Sequence, residues 1–153
     1  MQEINVFLKA FADSNSGYGV SNYYSFSVIE TCACNKISSV MKRHLKLKEN
    51  DSVDIAMLEH WEEQLFLENP IFPQCPDSEE CWLGITPVNI NLNGLSAKQY
   101  LINLLNRFFK FDKYKVFLLQ VNTDDYYACS YEEYLFYNNH DSTLYYLSFQ
   151  VHD

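Results

Sequence analysis

The strongest constraint on the fold lies in the last third of the chain. Residues 97–111, AKQYLINLLNRFFKF, follow Ser96 and place Leu101, Leu104, Leu105 and Phe108 along one helical stripe. Ser96 is a good N-cap, and Arg107 and Lys110 suit the negative end of the helix dipole. The run VFLLQV at 116–121 then has the character of a buried strand, and STLYYLSFQV at 142–151 reads as a last strand. Between them lies TDDYYACSYEEYLFYNNHD, residues 123–141, with five acids, five tyrosines and no lysine or arginine. Asn138, Asn139, His140 and Asp141 are turn formers between two aromatic runs, so this stretch predicts a C-terminal hairpin. A helix over 130–137 is the alternative.

The rest of the chain adds further elements. Residues 3–11, EINVFLKAF, read as a first strand, and SNSGYG as a turn. Residues 20–30, rich in aromatic and β-branched side chains, read as a second strand. Ile37, Val40, Met41 and Leu45 share helical spacing, which predicts a basic helix over 36–47. Asp51 or Ser52 then reads as the N-cap of a helix over 53–68. Its apolar side would carry Met57, Leu58, Trp61 and Leu65, and its outer side Glu59, Glu62 and Glu63. Residues 69–83 hold three of the four prolines and read as a loop. GITPVNINLNG, 84–94, reads as an edge strand ending in an Asn-Gly turn. The expectation is one α+β domain over 1–153, a largely antiparallel sheet with about three helices.

Composition narrows function by exclusion. Only four glycines are present and no phosphate-binding glycine motif, so nucleotide-binding folds have no local support. The N-terminus has neither a basic region nor an apolar run of signal-peptide type, and no run is long enough to span a bilayer, so a cytoplasmic protein without membrane contact is expected. The five cysteines are odd in number and irregularly spaced, which predicts reduced, mostly buried thiols.

Charge is segregated along the chain. Residues 36–48 carry five bases and no acid, 49–97 ten acids and no base, 98–115 five bases and one acid, and 116–153 six acids and no base. If the two acidic blocks share one face, they repel nucleic acid and anionic lipid and attract a basic protein. The rival reading is a solvated surface with scattered acids. The two basic stretches are too sparse for a nucleic-acid footprint and could pair with acids within the fold.

No catalytic motif in the chain settles its chemistry. Cys32 and Cys34 are too close for the usual paired zinc ligands, and Cys75 and Cys81 sit in a proline-rich loop, so no metal site is assigned. Cys32 and Cys34 precede the basic helix and are the best candidates for a nucleophile, with His44, His60, His140 or His152 as bases, but no local pattern joins them. Asp124-Asp125 and Glu132-Glu133 are neighbours, which a strand would point to opposite faces, so neither pair converges on one substrate atom.

Tyrosine with carboxylate and little lysine suits a recognition surface. With its basic-free blocks SVDIAMLEHWEEQLFLEN and TDDYYACSYEEYLFYNNHD, the chain resembles in overall character the bacterial immunity proteins of contact-dependent growth inhibition and related toxin–immunity systems. That resemblance implies stoichiometric neutralisation of one cognate toxin, often a basic nuclease, with no cofactor and no turnover. The expected partner is a basic protein, with the chain itself a monomer or weak homodimer. Candidate contacts are Asp124, Asp125, Tyr131, Glu132, Glu133 and Tyr134, then Glu59, Glu62 and Glu63. The alternatives are a small Cys- or carboxylate-based enzyme, an oligomeric adaptor joined through a strand edge, and a DNA mimic.

Overall fold

The computed structural model describes residues 1–17, 19–66, 81–110 and 113–153. The elements run α1 (Gln2–Asn15), β1 (Ser21–Thr31), α2 (Ile37–His44), β2 (Ser52–Leu58), α3 (Trp61–Gln64), α4 (Ala97–Phe109), β3 (Tyr114–Asn122), β4 (Ser130–Asn138) and β5 (Thr143–His152). Five antiparallel strands form one sheet in the order β1-β5-β4-β3-β2. The fold is α+β, as expected.

The sheet is covered on both faces. Alternate residues of one face, Tyr24, Phe26, Tyr134, Phe136, Leu147 and Phe149, pack with Ile4, Phe7, Leu8 and Phe11 of α1 and Leu101, Leu104, Leu105 and Phe109 of α4. The other face sends Val53, Phe117, Leu119, Leu135, Tyr137, Leu144 and Tyr146 against Ile37, Val40 and Met41 of α2. Among the described residues α1, α3 and α4 pack on one side and the short α2 on the other, which leaves part of the second face, around Ser21, Tyr23 and Ser25 of β1, open to solvent.

Several expected elements stand. Ser96 caps α4 by accepting the Gln99 N–H at 3.1 Å. Ser96→Ala will lower stability by about 1 kcal/mol, read as a shift in the denaturant midpoint. The basic helix, the strand over 20–30, the buried strand β3 and the final strand β5 are all present. The stretch 130–137 is strand, paired with both β3 and β5, so the helical alternative is set aside. The β4–β5 turn closes with Ser142 N–H on Asn138 C=O at 2.9 Å and Thr143 N–H on the Asp141 carboxylate at 2.9 Å. The Thr143 bond holds the Asp141 carboxyl below the usual range.

Three expected elements are corrected. Residues 3–11 lie in a helix: Ile4, Phe7, Leu8, Phe11, Ala12 and Asn15 are its buried positions, a helical period that outweighs the strand-like composition. The expected helix over 53–68 is, as far as residue 66, instead β2 followed by the single turn α3, and residues 67–68 lie outside the described residues. Val53 and Ile55 face α2 while Asp54 points away, a period of two that the helical spacing of Met57, Leu58, Trp61 and Leu65 masked. Residues 84–94 form turns, with Ile90 N–H on Pro87 C=O and Leu95 N–H on Leu92 C=O at 3.1 and 3.0 Å. The Asn-Gly turn is real, with φ of 54° at Asn93 and 78° at Gly94. The proline-rich loop expected over 69–83 lies outside the described residues as far as residue 80; Cys81–Leu83 form a short 3-10 turn.

Candidate functional site

The two acidic blocks meet at one edge of the sheet. Because β2 pairs with β3, the start of β2 lies beside the end of β3, and the loop after Asn122 carries Asp124 and Asp125 there. Thr123 Oγ1 accepts the Asp125 N–H at 3.1 Å and shapes that loop. Asp125 reaches back across the edge to Lys48 at 2.6 Å, and Asp54 on β2 accepts from Asn122 Nδ2 at 2.8 Å. A cleft of about 290 Å³ is lined by Lys48, Glu49, Asn50, Asp51, Asp124 and Asp125. A neighbouring cleft of about 430 Å³ carries Asp51 and Asp124 on its walls with Asn122 and Thr123. At the far end of β2, Glu59, Glu62 and Glu63 are exposed. Seven strand residues, about 23 Å at roughly 3.3 Å each, separate the two groups along the edge.

The two basic residues beside the clefts, Lys42 and Lys48, are engaged. Lys42 Nζ donates to the backbone carbonyls of Glu49 and Asp51, both at 2.6 Å. The hydrogen bond and charge of Asp125 hold the Lys48 ammonium above its usual range. Arg43 pairs with Glu30 and Arg107 with Glu3, both at 2.7 Å. Arg43, Lys48 and Arg107 of the two basic stretches therefore meet acids within the fold, in part as one of the sequence expectations had it.

Four of the sequence candidates are placed elsewhere. Glu132 and Tyr134 point into the helix-covered core, where Glu132 is 5% and Tyr134 0% exposed. There Glu132 accepts from the Trp82 indole N–H at 2.8 Å, from the Phe66 N–H at 2.9 Å and from the Tyr134 hydroxyl. Glu133 faces the opposite side, also buried, and takes Tyr127 Oη and Gln150 Nε2 at 2.7 Å and Ser148 Oγ at 3.2 Å on one carboxylate oxygen. The expectation that the two neighbours diverge is met, but neither carboxylate is at the surface of the fold to greet a partner. Tyr131 is a wedge: its hydroxyl accepts from Val121 N–H and donates to Val121 C=O, both at 3.1 Å. It stands in for ladder bonds beyond Leu119 and Glu133, where β3 and β4 part around a cleft of about 260 Å³. Asp124, Asp125, Glu59, Glu62 and Glu63 remain as surface candidates. Sequence reasoning passed over Asp54 and used Asp51 only as a cap; the signal was six acids and no base over 49–66.

The buried tyrosines fix an alkaline response. Burial, then the charge of Glu133, raises the hydroxyl pKa of both Tyr127 and Tyr146. Their contribution to stability is fully present below the ordinary tyrosine pKa of about 10 and is lost as pH climbs beyond it. Titration followed by tyrosinate absorbance will show these two ionising only as the protein unfolds; a smooth titration of all twelve tyrosines in the folded state would contradict the burial.

Cys32, a nucleophile candidate, lacks activation. Cys32 and Cys34 are half-buried against the α2 cluster. Burial, then the charges of Glu30 and Cys34, pushes the Cys32 thiol up against a weaker pull from Arg43. That favours the thiol over the nucleophilic thiolate. His44 stacks edge-on to Tyr146, His152 lies between the rings of Tyr23 and Tyr126, and His60 and His140 are exposed. Among the described residues no three His, Cys, Asp or Glu side chains are grouped to hold a metal ion; Cys75 and the Cys81 side chain lie outside them. Among the same residues no helix is long and apolar enough to cross a membrane.

The class defined by this geometry is an α+β protein with an acidic strand edge. Comparison with known family models, with curated proteins and with solved structures gives no match.

Proposed function

We propose that the chain is an inhibitory binding protein of the immunity or antitoxin type, which neutralises a basic toxin, such as a nuclease domain, by stoichiometric binding in the cytoplasm. The observation that carries this reading is the convergence of acids from two separate sequence blocks, Asp51, Asp54, Glu59, Glu62 and Glu63 with Asp124 and Asp125, on one sheet edge. Such a field speeds encounter with a cationic surface and discriminates against anionic ones. Carboxylates at the edge also offer paired acceptors to arginine.

The test is capture from native cells at low salt, elution with rising salt, and assay of the recovered protein for toxicity with and without the inhibitor. One basic protein, recovered in equal amount and silenced by re-addition, is the expected result. Recovery of acidic or scattered proteins, or of a basic protein whose activity is untouched, would refute the reading.

A further inference from the structure

The two edges of the sheet are finished differently. On β1, the side-chain amide of Asn5 from α1 occupies the outer edge as a strand would. Its Nδ2 donates to Phe26 C=O at 2.7 Å and its Oδ1 accepts Phe26 N–H at 2.8 Å. Farther along, Asn22 N–H donates to Ser16 Oγ at 3.0 Å. A register irregularity between Val28 and Glu30 further disrupts that edge.

β2 has none of these devices. Its seven residues pair in unbroken register with β3 alone, and among the described residues no side chain bonds its outer edge. It contains no proline and no lysine, the usual guards of an open edge. Ser52, Asp54, Ala56 and Met57 are exposed, Met57 at 56%.

We propose that this edge takes up an extended, basic segment of a protein partner as a sixth strand. The inference rests on the inhibitor reading for the existence of a basic partner, and adds how that partner is held. Main-chain bonds would supply affinity and the alternate side chains specificity. On one face the added strand would meet Val53, Ile55 and Met57, and on the other Asp54 and Ala56. The fitting segment therefore alternates aliphatic with lysine or arginine residues. Its ends would pass Glu49 and Asp51 on one side and Glu59, Glu62 and Glu63 on the other. A second copy of this chain fits poorly, because two such edges bring like charges face to face.

The experiment uses the full chain, isotopically labelled, with an eight-residue capped peptide of alternating lysine and valine at low salt. Two isomers of the peptide carry N-methyl groups on every valine or on every lysine. The expected result is saturable binding with amide shifts centred on Ser52–Leu58, and about a tenfold or greater loss for one N-methyl isomer only, since just one set of peptide N–H groups can face β2. Asp54→Lys should weaken the peptide several-fold, while its fold is checked by an unchanged amide spectrum elsewhere. No saturable binding, equal binding of both isomers, or shifts centred away from β2 would overturn strand addition. So would protection of the β2 amides by self-association without peptide, which would assign the edge to a second copy. If the peptide fails while a captured toxin is still neutralised, strand addition falls and the inhibitor reading stands.

Discussion

Glu132→Ala will destabilise the protein by about 3–5 kcal/mol. The carboxylate is buried in the helix-covered core and, among the described residues, accepts from the Trp82 indole, the Phe66 backbone and the Tyr134 hydroxyl. Burying it already carries a desolvation cost, so the pair energies are not a net gain. Removing it is another matter, because the Trp82 indole and the Tyr134 hydroxyl lose this acceptor in an apolar setting, while the Phe66 N–H keeps Tyr134 Oη at 2.9 Å. For a chain of this size the loss corresponds to a fall in Tm of about 10–15 °C. Glu132→Gln preserves the shape and one acceptor, but sets an NH2 group against one of the donors, and should cost about 1–3 kcal/mol. Trp82 fluorescence in a denaturation series reads both changes, since the indole is itself a partner. An alanine variant within 1 kcal/mol of the parent by that assay would show that Glu132 does not anchor Phe66 and Trp82.

The largest expected effect on binding comes from reversing the exposed edge acids. Asp54→Lys, Glu62→Lys and Asp124→Lys together draw on both acidic blocks and take the net charge from −9 to −3, two units for each of three replacements. Association with a basic partner should slow by about 100-fold at low salt, with a smaller change in dissociation. The difference should shrink as salt approaches 1 M, where the Debye length is about 3 Å. Glu3→Lys, Asp13→Lys and Glu30→Lys provide the control, with the same net charge but with changes on α1 and β1, at the other edge. Equal slowing by the two triples would mean that overall charge, and not the β2 edge, steers the encounter. The same reversal at Glu132 or Glu133 is expected to unfold the chain, because both carboxylates are buried within hydrogen-bonded clusters.

Much of the fold could be read from local pattern. Ser96 with its apolar stripe marks α4, and the Asn-Asn-His-Asp turn between aromatic runs marks the β4–β5 hairpin. At α1 composition and period disagreed, at β2 two periods competed, and the period of the buried residues decided both. Val, Phe and Ile suggested a strand where Ile4, Phe7, Leu8 and Phe11 keep helical spacing. The helical spacing of Met57, Leu58, Trp61 and Leu65 suggested a helix where Val53 and Ile55 alternate with Asp54. The acidic blocks were plain in the sequence, but their meeting was not. It depends on β2 lying next to β3, a long-range pairing that no local signal encodes. The burial of Glu132 and Glu133 was hidden for the same reason. Only the placement of β4 between two strands and beneath cover on both faces takes these carboxylates out of solvent.

The most direct test of stoichiometric neutralisation is a titration of the captured toxin's activity with this protein. The account predicts a linear fall to zero at one equivalent, complete on mixing, and restored activity when the complex is separated. Full activity in the presence of excess protein would contradict it. So would progressive loss at a small fraction of an equivalent, which would mark the chain as an enzyme acting on its partner.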